Sequence, residues 1–423
     1  MKKHIETSCV QEGYVPENGE SRIAPLVQAT TFKYDSAEDV AALFDLEKEG
    51  FFYSRLANPT VDVLEQKITA LEGGVAAVGT SSGQAAITLT IATLCRAGDN
   101  IVAAQNLYGG TMNLFGHTLK RLGVEVRFVP VNATKEELEE QIDDKTKGIY
   151  GETIGNPGVE VLDFELFSAV AKKNDLPLIV DSTFATPVLC RPFQWGANII
   201  IHSSTKYLDG HGTSVGGLIV DGGNFDWSSG RFPDFTEPDE TYHGLSFYET
   251  FKEAAFAVKA RTTILRDIGC TMAPMNAWLT TLGMETLALR MEKHSKNALA
   301  LGKFLESRKE VSWIKYPGLE KDPYHELSKK YLPKGQSGVI SFGLKNREQA
   351  TKFIDSLKLI ALVVHVADVR SCVLHPASMT HRQLSDEELK KAGIEPEQIR
   401  LSVGIEHVDD LIADLAQALD GVQ

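Results

Sequence analysis

Two apolar runs end on residues that could do chemistry together. LPLIVD closes on Asp181, and ANIIIHSSTKYLDGHGTS, from Ala197 to Ser214, carries Lys206 just past its apolar stretch and before a glycine-broken turn. An amine and an acid at the ends of neighbouring strands would suit a pyridoxal phosphate site. The amine makes the Schiff base, and the acid keeps the pyridine nitrogen protonated so that the ring draws electrons. Plainer readings exist: a lysine after a strand is commonly solvated, and an aspartate there commonly caps a helix. Nearby residues suit an anion. GTSSGQAA, Gly79 to Ala86, passes from a strand end to a helix start, where the N–H groups of Gly83 and Gln84 are free for phosphate. A tight turn packed for steric reasons is the alternative. Ser203 and Thr205 precede Lys206 by three residues and one, so their hydroxyls could join the same anion. GTSSGQAA holds no GxGxxG, which disfavours a dinucleotide.

These residues need a sheet to hold them side by side, and the sequence supplies its strands. VAAVGT, NIVAAQ, VEVRFV, KGIYGET, LPLIVD and ANIIIHS are short and apolar on both faces, and amphipathic helical segments separate them. This pattern predicts an α/β fold with a mostly parallel sheet covered by helices on both faces. Asn58-Pro59 predicts the start of the first regular helix, which Gly73 ends. Thr134 with Glu137 predicts a capping box. Residues 1–57 lack a clean period and read as an arm, 58–281 as the large domain, and 282–423 as a smaller α+β domain in which strands and helices no longer alternate strictly. The aromatic, acidic stretch DGGNFDWSSGRFPDFTEPDETYHGLSFYETF lies between the two domains, and a loop of that length is expected to be functional or interfacial.

Composition narrows the class. A formal net charge of -14 argues against nucleic acid and anionic membrane surfaces as partners. Five scattered cysteines, Cys9, Cys95, Cys190, Cys270 and Cys372, fit a reducing compartment better than a disulfide framework. With neither a secretory h-region nor an apolar run of membrane-spanning length, the expected location is the cytoplasm. His375 and His381 in HPASMTH have no acid or cysteine set beside them, so hydrogen bonding rather than metal ligation is expected.

YSRLANPT, LEGGVAAVGTSSGQAA, LYGGTMNLF, GETIGNP, VDSTFATPVLCRPFQWGA, HSSTKYLDGHGTSVGG, HPASMTHRQLSDEEL and IRLSVGIE occur in one order along nearly the whole chain. In this series the sequence resembles the Cys/Met-metabolism family of pyridoxal phosphate enzymes, and within it the O-acetylhomoserine sulfhydrylase branch. The resemblance implies the aspartate-aminotransferase type of fold (fold type I), with pyridoxal 5'-phosphate held covalently by Lys206. It implies that Asp181 pairs with the pyridine nitrogen, Thr183 lies against the ring, Tyr108 stacks on its other face and Asn156 bonds its hydroxyl. Gly83, Gln84, Ser203 and Thr205 would hold the phosphate, helped by Tyr53 and Arg55 from a neighbouring subunit of a homo-oligomer, a dimer with shared sites assembled into a tetramer. Arg400 would take the substrate carboxylate. The implied reaction joins O-acetyl-L-homoserine with sulfide or a small thiol to give homocysteine or a thioether, plus acetate. A methionine or homocysteine γ-lyase on the same scaffold is the alternative. Two features bear on that choice: Gly110 stands where γ-lyase relatives commonly have cysteine, and His365 and Arg370 stand where many sulfhydrylases have asparagine and lysine.

Overall fold

The computed structural model describes residues 3–379, 382, 387 and 393–422. Its larger sheet contains β1 (Ala76–Thr80), β2 (Asn100–Ala104), β3 (Glu125–Val129), β4 (Thr146–Glu152), β5 (Leu178–Asp181), β6 (Ile199–His202) and β7 (Gly217–Asp221). The spatial order is β1-β7-β6-β5-β4-β2-β3. Strands β2 to β6 pair in parallel, while β7 runs antiparallel to both of its neighbours. Successive side chains of a strand point to opposite faces, and both faces here are apolar. Leu178, Val180 and Ile200 join one buried cluster with Ile68, Phe164 and Phe167. Ile179, Ile199 and Ile201 join a second with Ile87, Phe115 and Phe256. Helices cover both sides, as the unbroken apolar runs require.

Local sequence sets the ends of the elements. Asn58 caps helix Pro59–Glu72 by accepting the Thr60 N–H at 2.9 Å, and Gly73 ends it at φ 83°. Thr134 and Glu137 form the reciprocal capping box. Strand β7 was not among the strands expected from the sequence, because β6 reaches it without an intervening crossover helix. The aromatic stretch after β7 is packed: Trp227 stacks on Phe235 at 4.2 Å, and both join the cluster that holds Phe256. Within residues 1–57 the chain forms helices Ile5–Gln11 and Ala37–Phe44, and Ile5 and Cys9 are buried in the larger core.

A second sheet contains β8 (Trp313–Lys315), β9 (Val339–Gly343), β10 (Ala361–Leu362), β11 (Cys372–Leu374) and β12 (Gln398–Ser402), in the order β10-β11-β12-β9-β8. Only the pair β10–β11 is parallel among the described strands of this sheet. Helix Leu287–Glu306 spans the two cores, with Leu287 and Met291 in the first and Ala298, Leu301 and Leu305 under the small sheet. No described helix is long and apolar enough to cross a membrane.

Candidate active site

Parallel strands present their C-terminal ends on one edge, and ligands of open α/β sheets collect there. Asp181 ends β5 and pairs in register with Ile201 of β6, so the chain leaving β6 carries Ser203, Thr205 and Lys206 over the same edge. One pocket takes them in. Its lining includes Gly83, Gln84, Tyr108, Asn156, Asp181, Thr183, Ser203, Thr205, Lys206 and Arg400, drawn from both sheets.

The floor of the pocket is acidic. Asp181 accepts the Thr183 N–H at 2.9 Å, and the Thr183 hydroxyl accepts the Ser203 N–H at 2.8 Å, tying β5 to the segment after β6. Burial raises the proton affinity of Asp181, and no cationic side chain forms a salt bridge with it among the described residues. Beside it in register is Glu152, whose carboxyl accepts the Tyr108 N–H at 2.7 Å. Burial, and then the Asp181 charge, push the Glu152 carboxyl well above the usual range. Behind the floor the buried His202 ring meets Glu72 at 2.6 Å, while the Thr183 hydrogen bonds oppose the upward shift of Asp181.

One end of the pocket is an anion cradle. Helix Gly83–Leu94 begins there, and its cap Ser82 takes the Ala85 N–H at 3.1 Å. The Gly83 and Gln84 N–H groups have no acceptor among the described residues, as expected at a helix start built for an anion. A Cβ at Gly83 would stand 2.7 Å from the Ser203 Cβ, so only glycine lets the helix approach this closely. The Thr205 hydroxyl donates to the Gly216 carbonyl at 3.2 Å and accepts its N–H at 3.1 Å. It therefore also anchors the return into β7.

The other end is cationic. Arg400, in β12, is 8% exposed; it donates through Nη1 to the Asn156 Oδ1 at 3.2 Å and through Nη2 to the His365 carbonyl at 2.9 Å. Its Nε–H is buried without a partner. Between the two ends lies Lys206, whose pKa is lowered to about 8 by burial and then by the Arg400 charge. The Lys206 amine lies 3.5 Å from His365 Nδ1.

A ring bearing an aldehyde and a phosphate fits this donor set. The free N–H pair and Ser203 suit the phosphate, the buried carboxylate of Asp181 suits a pyridinium, and the amine of Lys206 suits the aldehyde. A carboxylate is matched to the unpartnered Arg400 Nε–H. Tyr53 and Arg55 are outside this lining. The Arg55 guanidinium lies 5.3 Å from the Tyr53 ring centroid and bonds the Arg266 carbonyl of its own chain. Arg370 also lies elsewhere, paired with Asp368 at 2.9 Å. His375 uses both ring nitrogens, on the Ser378 hydroxyl at 2.8 Å and the Pro396 carbonyl at 2.9 Å. His381 lies outside the described residues. The cysteines are free and none lines the pocket; among the described residues no cluster could hold a metal ion. Glu152 and the ring of His365 are lining residues to which the sequence reading gave no role in the site. Glu152 stands inside the GETIGNP segment, which was a usable signal.

Comparison with known proteins points to the same class of cofactor. The model of the family described as Cys/Met metabolism PLP-dependent enzyme matches residues 6–420. O-acetyl-L-homoserine sulfhydrylase 1 of Thermus thermophilus is 49% identical over 418 residues, 98% of this chain and 99% of that protein. Homocysteine synthase of Schizosaccharomyces pombe is 47% identical, over 99% of this chain and 98% of its own. A Campylobacter jejuni structure with the provisional name O-acetylhomoserine (thiol)-lyase superposes with a TM-score of 0.95 at 40% identity, covering 99% of this chain and 100% of that one. That protein carries an N'-pyridoxyl-lysine-5'-monophosphate group.

Proposed function

Because the chain belongs to the family of Cys/Met metabolism PLP-dependent enzymes, we propose that it replaces the acetyl group of O-acetyl-L-homoserine with sulfide or a small thiol. The products are L-homocysteine, or the corresponding thioether, and acetate. The observation that carries this reading is the placement of Lys206 between the Asp181 floor and the Arg400 end of one pocket. Relatives with the sulfhydrylase and homocysteine synthase names, matched over nearly the full chain, support the choice of substrate.

Bound pyridoxal phosphate supplies an electron sink for the carbon chain of the amino acid. The protein positions and moves protons around it. Asp181 holds a positive charge at the pyridine nitrogen. Tyr108, its backbone tied to Glu152, would pack on the ring, and Asn156, which braces Arg400, would bond the ring hydroxyl. Gly83, Gln84, Ser203 and Thr205 grip the phosphate. Arg400 would take the substrate carboxylate with its free Nε–H and a second in-plane N–H, a planar fork that lysine cannot copy. Lys206 would hold the cofactor through its amine, which is the base left at the centre of the pocket. The amine then removes protons from Cα and Cβ, since a leaving group at Cγ departs only after both are lost. A pKa lowered to about 8 leaves a usable minority of that amine neutral near physiological pH, far more than an ordinary lysine would.

The assignment of site residues rests on this geometry together with the family resemblance. The division into an arm (1–57), a large domain (58–281) and a small domain (282–423) rests on the change of periodicity along the sequence. We also propose a cytoplasmic homo-oligomer, a dimer with shared sites assembled into a tetramer, in which Tyr53 and Arg55 complete the neighbour's phosphate site. Product analysis with O-acetyl-, O-succinyl- and O-phospho-homoserine, each against sulfide and methanethiol, tests the substrate choice. Preference for O-acetyl-L-homoserine with sulfide is expected; preference for another acyl group would replace that part of the reading.

A further inference from the structure

Two carboxyls stand side by side at the edge of the large sheet that faces the pocket. Glu152 ends β4, Asp181 ends β5, and the two are partners in register. Registered neighbours leave a sheet on the same face, from strands about 4.8 Å apart. Both residues line the pocket, and Glu152 is buried. Among the described residues no lysine or arginine forms a salt bridge with either of them. A pyridinium brings one positive charge, which balances one carboxylate. A second ionised carboxylate would be left buried and unbalanced, at a high cost. Two carboxyls so placed settle by keeping one proton.

Their neighbours decide which of them keeps it. Asp181 accepts the Thr183 N–H at 2.9 Å and is also bonded by the Thr183 side chain, and such bonds favour the ionised form. Glu152 accepts only the Tyr108 N–H among the described residues, at 2.7 Å. The carbonyl oxygen of a neutral carboxyl accepts that bond as readily as a carboxylate oxygen does. The titratable groups around Glu152 are all acids. Asp181 and the buried Tyr150 share the sheet with it, and Glu160 lies beyond, paired with Lys315 at 3.5 Å. Burial and then the Asp181 charge raise the proton affinity of Glu152.

We propose that Glu152 is a positioning residue that works as a neutral acid: it keeps the one proton of the pair, leaves Asp181 as the single carboxylate for the pyridinium, and holds the Tyr108 backbone through its carbonyl oxygen. This rests on cofactor binding in the pocket and not on the choice of reaction. Tyr108 opens helix Gly109–Asn113 and lines the pocket, so the grip of Glu152 sets where that residue stands. Neutrality matters equally, because a further negative charge beside the ring would weaken its pull on electrons.

The test compares wild-type holoenzyme with Glu152→Gln and Glu152→Ala near neutral pH. Infrared difference spectra should show the C=O stretch of a protonated carboxyl in the wild type, shifted in D2O and missing from Glu152→Gln. Glutamine is neutral and keeps an oxygen for the Tyr108 N–H, so its cofactor affinity should stay within about threefold of wild type. The pH at which the bound cofactor changes colour should stay within about half a unit. Glu152→Ala leaves that N–H without its acceptor and should weaken cofactor binding about tenfold. If no protonated-carboxyl band is lost in Glu152→Gln, or if the colour change moves by more than about one unit, Glu152 is ionised and the proposal is overturned. Cofactor affinity in Glu152→Ala equal to that of Glu152→Gln would overturn the positioning role. None of these measurements uses an acylated homoserine, so they stand whichever reaction the site runs.

Discussion

Arg400 of the small sheet donates to the Asn156 side chain beyond the end of β4, 3.2 Å away, so one hydrogen bond joins the two sheets at the pocket. With Nη2 on the His365 carbonyl, the guanidinium is braced at two corners and keeps its Nε–H free for a ligand.

The bracing gives the first prediction. Arg400→Lys keeps a charge but cannot span Asn156, the His365 carbonyl and a carboxylate together. Losing one charged hydrogen bond costs roughly 1.5–3 kcal/mol, which corresponds to a KM for the amino acid raised by about ten- to a hundredfold. Cofactor affinity, followed by absorbance, should change little. An unchanged KM with weakened cofactor binding would place Arg400 on the wrong ligand.

Gly110 gives the second. A Cβ at this position would stand 2.5 Å from Cε1 of Tyr108, so any side chain there must turn the tyrosine ring. Gly110→Cys should therefore raise the share of 2-oxobutyrate over homocysteine severalfold, as the displaced ring loosens the hold on the carbon chain. An unchanged product ratio would remove Gly110 from the argument about reaction type.

The third concerns pH and stability. Burial, with the Arg290 charge, lowers the pKa of His294 to about 4, although its Nδ1 donates to the Val403 carbonyl at 2.7 Å. Between the ordinary value of 6.5 and about 4, the ring is neutral in the fold and charged in the unfolded chain. The unfolded chain binds the extra proton, so stability is fully present above the ordinary value and falls as the pH drops through this window, by roughly 3 kcal/mol at most from this residue. Melting temperatures of wild type and His294→Gln should converge toward pH 4 and separate above pH 6.5, at the two values that bound the window. Parallel curves would exclude the histidine as the source.

The fourth concerns assembly. Tyr53 and Arg55 do not line the pocket of their own chain. If they serve the neighbour's, Arg55→Ala and Lys206→Ala damage one site from opposite chains. Refolding the two inactive variants together should then return roughly a quarter of wild-type activity through hybrids with one intact site. Hybrids shown to form without activity would mean that the arm acts within its own chain.

Much of this site is local in sequence and was legible there. The apolar runs before Asp181 and Lys206 read as buried strands, and the small residues after Thr80 read as the turn into a helix start. What stayed hidden depends on non-local packing. Strand β7 follows β6 without a crossover helix, so alternation of strand and helix gives no sign of it. The Glu152 carboxyl meets the Tyr108 backbone 44 residues away in sequence, and the His365 ring reaches Lys206 across 159. No periodicity encodes such distances. The sequence marks His365 only as an unexpected residue type, and its contact with Lys206 emerges once both sheets are in place.

The central claim is replacement at Cγ by a pocket in which Lys206 moves the protons. Holoenzyme mixed with O-acetyl-L-homoserine and saturating sulfide should yield homocysteine in large excess over 2-oxobutyrate, with acetate equal to the homocysteine formed. Lys206→Ala should yield none of the three while keeping its fold by circular dichroism. Predominant 2-oxobutyrate from the wild type, or undiminished homocysteine from Lys206→Ala, would contradict the account.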